Sequence, residues 1–87
     1  MMQDILIHAA KLFDVPILQI VGARRVQRYC RARNAVAYAL RERGWSLQEI
    51  GAVLGARHHT TVMNSLDQAE ELARHNADYA AQIAALL

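Results

Sequence analysis

The segment between Gly44 and Gly55 has room for only one short helix, and this constrains the fold more than any other feature of the chain. Residues 46–49 (Ser-Leu-Gln-Glu) fit a capping box, in which the serine hydroxyl accepts a backbone hydrogen bond and the glutamate reaches back to the serine N–H. We therefore predict a helix that begins after Ser46 and is closed by Gly55. A second helix is predicted to begin near His58 or His59. A short capped helix, a glycine turn and a longer helix are typical of a helix-turn-helix unit.

The second helix of this unit is predicted to have an apolar side and a polar side. The apolar side repeats at spacings of four, three and four residues, with Val62, Leu66, Ala69 and Ala73. At about 100° per residue, a polar set falls on the opposite arc, namely Thr60, Thr61, Asn64 and Gln68. Acidic residues follow in the second half, at Asp67, Glu70 and Glu71. Because these would repel phosphates, we expect that only the first two turns can enter a groove of a nucleic acid.

The rest of the chain also favours helices, because glycine and proline are few and no run of alternating β-branched residues indicates a strand. We predict helices over residues 2–13 and 28–43 and a short apolar turn or helix over residues 17–21. A closing helix is predicted to be capped by Asn76 and to bury Tyr79, Ile83 and Leu86. The predicted fold is a single all-α domain over residues 1–87, a compact bundle of about five to six helices.

The long helix over residues 28–43 is expected to bury one apolar stripe. That stripe is formed by Val36, Ala37 and Leu40, and Arg33 and Arg41 are expected to point elsewhere. Trp45 follows directly after the glycine that ends this helix, and it is expected to pack between helices. Because Arg33 and Arg41 are expected to lie outside the apolar stripe, the exposed surface of the helix over residues 28–43 is predicted to be basic.

Arginine is concentrated in the middle of the chain. Residues 22–28 have no helical apolar period and are predicted to form an exposed basic loop, with Arg24, Arg25 and Arg28. From residue 24 to residue 57, eight arginines stand against two glutamates, which gives +6, whereas two basic and six acidic side chains elsewhere give −4. This charge separation is expected of a protein that binds a polyanion. A biased genome composition would explain the number of arginines but not their clustering.

Length and composition exclude several classes of protein. At 87 residues, folding buries about 60 to 65% of the surface of the unfolded chain, which leaves little room for a deep catalytic cavity. No apolar run approaches the roughly 20 residues needed to cross a bilayer, and the single cysteine, Cys30, cannot form an internal disulfide. We therefore expect a soluble cytoplasmic protein, associated with the nucleoid if the polyanion is DNA.

A catalytic or metal site is not predicted. No glycine-rich phosphate loop followed by Lys-Ser or Lys-Thr occurs, so we expect no nucleotide hydrolysis and no cofactor. Adjacent histidines on a helix point about 100° apart, and no metal-ligand spacing connects the candidates His8, His58, His59, His75 and Cys30. A helical adaptor that binds an acidic protein through its arginines is the alternative, although an adaptor would not need paired threonines at a helix tip.

The residues around the predicted helix-turn-helix resemble a known family. The resemblance is carried by residues 46–51 and by residues 55–62 (Gly-Ala-Arg-His-His-Thr-Thr-Val), where the family shows a glycine and an Arg-Asp-His-Thr-Thr-Val pattern. Residues 22–25 and 31–33 also fall in register with the family's basic segment. On these motifs the chain resembles, over nearly its whole length, the C-terminal DNA-binding domain (domain IV) of the bacterial replication initiator DnaA. The resemblance implies a Trp-repressor-like helix-turn-helix that binds an asymmetric A/T-rich box of double-stranded DNA as a monomer.

The resemblance also implies roles for individual residues. Arg25 is expected in the minor groove, and His59, Thr60 and Thr61 are expected to read bases in the major groove. His58, which departs from the family pattern, is also expected to contact a base. Contacts with the DNA backbone or beside the bases are implied for Arg24, Arg28, Arg31, Arg33, Arg41, Leu47, Gln48, Arg57 and Asn64. Physical chemistry agrees, because arginine suits a narrow, negative minor groove and a threonine methyl packs on a thymine methyl.

The chain departs from the family pattern at His58, where the family has an aspartate. A histidine cannot accept from a cytosine amino group as an anion does, but it can donate to guanine N7 or O6, so the preferred base is expected to change. This departure favours a transcriptional regulator that carries the domain without an ATPase over an excised domain of a replication initiator. Further domains or proteins of a transcription or replication complex are expected as additional partners.

Overall fold

Six helices make up the part of the chain that the structure describes. The computed structural model describes the backbone of residues 2–87 and the side chains of residues 4–87. In chain order the helices are α1 (Met2–Phe13), α2 (Ile17–Ile20), α3 (Gln27–Glu42), α4 (Leu47–Val53), α5 (His59–His75) and α6 (Ala77–Leu86). All regular structure within residues 2–87 is helical, which confirms the prediction of an all-α fold with a helix-turn-helix. None of these helices is long and apolar enough to span a membrane.

Helix α3 lies at the centre of the fold and contacts each of the five other helices. Six of its apolar residues are fully buried, and four of these are alanines, at positions 32, 35, 37 and 39. Small side chains allow neighbouring helices to approach closely, since the distance between helix axes depends on the side chains at the contact. Larger side chains of the other helices complete the core around α3, including Ile20, Ile50, Val62 and Leu86. The helix-turn-helix of α4 and α5 is thereby held against a rigid central helix.

Three helix boundaries lie where local sequence signals predict, namely the end of α3 and the starts of α4 and α6. At α4 both bonds of the capping box are present, with 3.1 Å from Glu49 N to Ser46 Oγ and 2.8 Å from Ser46 N to Glu49 Oε1. Gly44 follows α3 with a φ of 91°, which an L residue adopts only with strain. Asn76 caps α6 through Oδ1, which accepts from Tyr79 N at 3.0 Å. These boundary predictions are confirmed.

The predicted basic loop extends too far along the chain. Helix α3 begins at Gln27, so Gln27 and Arg28 lie in its first turn rather than in the loop. The N-cap is Val26, whose backbone is extended and whose carbonyl accepts from Cys30 N at 2.9 Å. No side chain caps this helix start, and the sequence therefore carries no local signal for it. The basic loop, as defined by the structure, comprises residues 21–26.

Candidate nucleic-acid interface

The first turn of α5 presents polar side chains to solvent. His58 is the N-cap residue, and His59, Thr60 and Thr61 follow it on the exposed surface. Val62, the next residue, is fully buried and anchors this turn to the core. The predictions that the helix begins near His58 or His59 and that both threonines face outward are therefore confirmed. Residues 58–61 are called the tip of α5 below.

His58 closes the start of α5 through its ring. Its Nδ1 accepts from the backbone N–H of Thr60 at 3.2 Å and lies 2.8 Å from Thr60 Oγ1. A ring nitrogen that accepts a hydrogen bond carries no proton, so the proton of the neutral imidazole is assigned to Nε2. The ring also lies against that of His59, with 4.1 Å between the two centroids. The donor that His58 can offer to another molecule is therefore Nε2–H.

A polar cleft of about 110 Å³ separates the basic loop from α5. Arg25 lines it on the loop side, and Arg33 and Arg57 also reach it. On the α5 side it is lined by Thr61, Asn64, Ser65 and Gln68. None of the described residues around it carries a carboxylate. Three guanidinium groups with hydroxyl and amide groups make a cleft suited to an anionic ligand.

Four predicted DNA contacts lie in or beside the basic loop and are accessible. Arg24 and Arg25 are exposed in the loop itself. Arg28 is exposed in the first turn of α3, with its guanidinium carbon 5.6 Å from the centre of the Tyr29 ring. Arg31 is half-buried in the next turn. A contact with DNA requires an accessible side chain, and these four arginines meet that requirement. Their contacts with DNA stay predictions.

The prediction that Arg33 points away from the buried stripe of α3 is wrong. Only 5% of the residue is exposed. Its guanidinium donates to the carbonyls of Ile20 at 2.7 Å and Gln19 at 2.8 Å, and to that of Arg24 at 3.2 Å. A buried charge needs such partners, because its desolvation is otherwise costly. The helical period contained the signal, since Arg33 lies three residues before the buried Val36. With its donors directed at protein carbonyls, Arg33 is not retained as a DNA contact.

Arg57 connects the turn of the helix-turn-helix to the basic loop. Its Nη2 donates to the carbonyl of Gly22, and its Nε is buried. Burial lowers the pKa of the Arg57 guanidinium, and the positive charges of Arg33 and Arg25 lower it further. The charges of the three guanidinium groups around the cleft therefore repel one another.

The remaining predicted contacts lie at the end of α3 and the start of α4. Arg41 is exposed, and its Nη1 donates to the carbonyl of Trp45 at 2.8 Å. Trp45 itself is half-buried and packs against the core, as predicted. Leu47 also packs against the core, whereas Gln48 is exposed in the first turn of α4. Leu47 can therefore reach another molecule mainly through its backbone.

Met63 is a surface residue that the sequence analysis does not single out. It is 50% exposed in α5, one residue after the buried Val62. Residues three or four positions apart share one side of a helix, so Met63 lies on the side of His59 and Thr60. The signal was present in this spacing. An apolar side chain beside the tip is suited to contact with a thymine methyl group.

The second half of α5 differs from the tip in charge. Its acidic residues pair with basic residues of the same helix, with 2.6 Å from Arg74 Nη2 to Glu70 Oε1 and 3.0 Å from His75 Nε2 to Glu71 Oε1. Exposed pairs of this kind contribute little to stability. Within the side chains that the structure describes, no group of three or more His, Cys, Asp or Glu residues could hold a metal ion.

Comparisons with known proteins agree with a helix-turn-helix fold. The family described as the bacterial dnaA protein helix-turn-helix matches residues 2–68. The chain is 36% identical over 85 residues to the chromosomal replication initiator protein DnaA of Thermomicrobium roseum, covering 95% of this chain and 18% of that protein. It is 35% identical over 85 residues to the DnaA of Roseiflexus castenholzii, covering 97% and 18%. For the DnaA of Methylobacillus flagellatus the identity is 32% over 79 residues, covering 90% and 17%. The chain thus spans less than a fifth of the length of these relatives.

Proposed function

The chain belongs to the bacterial dnaA protein helix-turn-helix family, and we propose that it binds double-stranded DNA with sequence specificity, as a single domain and a monomer. One observation carries this proposal. The exposed polar tip of α5 lies across a cleft without carboxylates from a loop with two exposed arginines. The role is binding and not catalysis, because the arrangement offers hydrogen-bonding groups and positive charge for recognition.

The tip and the basic loop fit adjacent grooves of one duplex. The major groove admits an α-helix, whereas a narrow minor groove has a strongly negative potential that attracts an arginine side chain. We place the tip of α5 in the major groove and Arg25 in the minor groove. One sugar-phosphate strand separates adjacent grooves, so this strand would cross the cleft, where Asn64 lies on the α5 side.

Base contacts are proposed for Arg25 and for the four residues of the tip. The proposed backbone contacts are Arg24, Arg28, Arg31, Arg41, Leu47, Gln48 and Asn64. Arg33 is left out because it is buried, and the half-buried Arg57 is left out because its Nη2 donates to the carbonyl of Gly22. Contacts with phosphates fix the register of the protein on the duplex, and contacts with base edges give the specificity.

His58 is proposed to change the DNA sequence that is read. Because Nδ1 is used by the cap, the ring offers the Nε2–H donor, which suits guanine N7 or O6. Random-site selection with the purified chain and with His58→Asp tests this. We expect one position of the selected motif to change from guanine in the wild type to cytosine in the variant, on the contacted strand. Recovery of one identical motif by both proteins would contradict this role for His58.

The salt dependence of binding tests the DNA proposal against an adaptor that binds an acidic protein. About five or six phosphate contacts predict a slope of about −4.5 to −5.5 when the logarithm of the association constant is plotted against the logarithm of salt concentration. Fluorescence anisotropy with the selected duplex measures this slope. A flat response, or no enrichment of any DNA in the selection, would instead support a protein partner.

For the cellular role we propose a transcriptional regulator that carries this domain without an ATPase. The support is His58, which stands where the family has an aspartate. Its Nε2–H donor predicts a DNA sequence that differs from the one read by the family pattern. A DNA-binding portion of a replication initiator is the second candidate, because the relatives are initiator proteins by name. Mapping where the chain is bound in the genome separates them, since a regulator predicts promoters and an initiator predicts the replication origin.

A further inference from the structure

Two arginines near the proposed interface hold the basic loop from inside the protein. Arg33 donates to three backbone carbonyls and Arg57 to one, and the buried Nε of Arg57 has no partner among the described residues. Arg33 on α3 binds the carbonyls of Gln19 and Ile20, which belong to the last turn of α2. The last carbonyls of a helix have no partner within the helix and lie at the negative end of its dipole. A cation at this position satisfies them and is attracted by the dipole. Arg33 therefore holds the end of α2, where the basic loop begins.

Arg33 also holds the middle of the basic loop, because its Nη2 donates to the carbonyl of Arg24 at 3.2 Å. The next residue along the chain is Arg25, the proposed minor-groove reader. The side chain of Arg25 is exposed, whereas the backbone immediately before it is tied to the central helix. The position of Arg25 is therefore set by a bond from the buried Arg33 to the preceding residue, Arg24, which lies 9 positions before Arg33.

Arg57 holds the same loop from the opposite element. It precedes the N-cap of α5, and its side chain donates to the carbonyl of Gly22, 35 residues earlier. The two backbones also meet closely nearby, since a Cβ added to Gly55 would clash with the carbonyl oxygen of Val21. Gly55 has a φ of +86°, so glycine is required there by both conformation and space. The turn of the helix-turn-helix and the basic loop are thus fixed to each other.

We propose that Arg57 and Arg33 are positioning residues that set the distance between the basic loop and the tip of α5, and that they do not act as phosphate contacts. This inference rests on the proposed function. Binding two adjacent grooves is bivalent, and the second contact forms efficiently only when the two readers are held at the spacing of the grooves. A loop fixed before binding also avoids the entropic cost of ordering it on DNA.

The side-chain NMR signals of the free protein provide the first test. The Nε–H groups of Arg33 and Arg57 are expected to exchange slowly with water before any DNA is added. The Nε–H of Arg33 is hydrogen-bonded to the carbonyl of Ile20, and both groups are shielded from solvent. The exposed Arg24 serves as the control in the same spectrum and should exchange fast. Fast exchange of Arg33 and Arg57 that slows only on addition of the selected duplex would overturn the proposal, because a phosphate contact behaves in that way.

A double-mutant cycle tests the coupling itself. Anisotropy gives the affinity for the selected duplex of the wild type, Arg25→Ala, Arg57→Gln and the double variant. We expect Arg25→Ala to reduce affinity about 5- to 150-fold in the wild type, the range of a specific base contact, but less than about threefold in the Arg57→Gln background. An equal loss in both backgrounds would show that Arg57 does not position Arg25.

Arg43→Gln is the matched control, because Arg43 also bridges two elements, through Nη2 to the carbonyl of Leu86 at 2.7 Å, but away from the basic loop. In its background the full effect of Arg25→Ala should persist.

If Arg57→Gln does not fold, as judged by circular dichroism, Arg57→Lys takes its place and the NMR test decides independently. If the selection enriches no DNA, the proposed function fails, whereas slow exchange in the free protein would still show the two bridges.

Discussion

The two helices of the helix-turn-helix begin in different ways. At α4, Ser46 and Glu49 satisfy each other's backbone N–H groups, and the cap closes on itself. At α5, the ring of His58 accepts the N–H of Thr60 with one nitrogen and keeps a second nitrogen that the cap does not use. Both caps answer the same need, because the first N–H groups of a helix have no partner within it. The difference shows that a cap can serve the fold alone, or the fold and recognition together.

The largest effect is expected where the start of α5 is anchored. Val62→Ala should lower the free energy of unfolding by about 2 to 3 kcal/mol, because it removes fully buried methyl groups and leaves a cavity. Met63→Ala is the matched control on the neighbouring, half-exposed residue and should change stability by less than about 0.5 kcal/mol. Urea unfolding followed by circular dichroism measures both. Equal losses would mean that the buried side of α5 does not hold the tip in place.

Thr60→Ala should weaken binding to the selected duplex by about 1 to 3 kcal/mol, because Thr60 is a proposed base contact at the exposed tip. The free energy of unfolding should fall by less than about 1 kcal/mol, since the variant loses the exposed contact of the Thr60 hydroxyl with His58 Nδ1 but keeps the backbone N–H that His58 caps. Thr60→Ser keeps the hydroxyl and removes the methyl, so it separates a hydrogen bond from a contact with a thymine methyl. Anisotropy with selected and random duplexes is the measurement. A similar weakening for both duplexes would make Thr60 a phosphate contact.

Ser46→Ala tests the other side of the comparison. Loss of this cap should lower the free energy of unfolding by about 1 kcal/mol, within the range of about 0.5 to 2 kcal/mol for N-cap residues. The ratio of affinities for selected and random duplexes should stay the same, because the cap of α4 has no proposed contact with a base. A changed ratio would show that the start of α4 also takes part in reading the sequence.

Local signals explain why much of the fold could be predicted from the sequence. The capping box at Ser46, the turn at Gly44 and the cap at Asn76 each depend on residues within a few positions. The apolar stripe of α5 follows from the helical period and is buried at Val62 and Ala69. The start of α3 at Gln27 was missed because no side chain caps it.

The helical period predicts that Arg33 lies on the inward side of α3, but local signals could predict neither the inward direction of Arg57 nor the carbonyl partners of either arginine. Their partners lie in another element, 13 residues from Arg33 at Ile20 and 35 residues from Arg57 at Gly22. An arginine that binds a phosphate and one that binds a backbone carbonyl look the same in a sequence. The exposed tip could be predicted because exposure on an amphipathic helix follows from its period, whereas bridges between elements require the packed fold.

The smallest effect concerns the pH dependence of the α4 cap. Hydrogen bonds from the backbone N–H and the hydroxyl of Ser46 lower the pKa of the Glu49 carboxyl in the folded protein. A lowered folded-state pKa means that the stabilisation is fully present above the unfolded value, about 4.3, and is lost as the pH falls through the folded value. The melting temperature of the wild type should therefore exceed that of Glu49→Gln at pH 7, and the gap should narrow at pH 3.

Asp67→Asn is the control for this measurement, because Asp67 is also an exposed carboxylate but does not cap a helix. Its melting difference from the wild type measures the effect of removing a surface carboxylate outside the cap. The DNA sequence selected at pH 7 should be the same for Glu49→Gln and the wild type, since the capping box of α4 serves the fold. A gap that stays constant between pH 7 and pH 3 would mean that the charge of Glu49 does not support the cap, and the two helix starts would then differ less than the structure indicates.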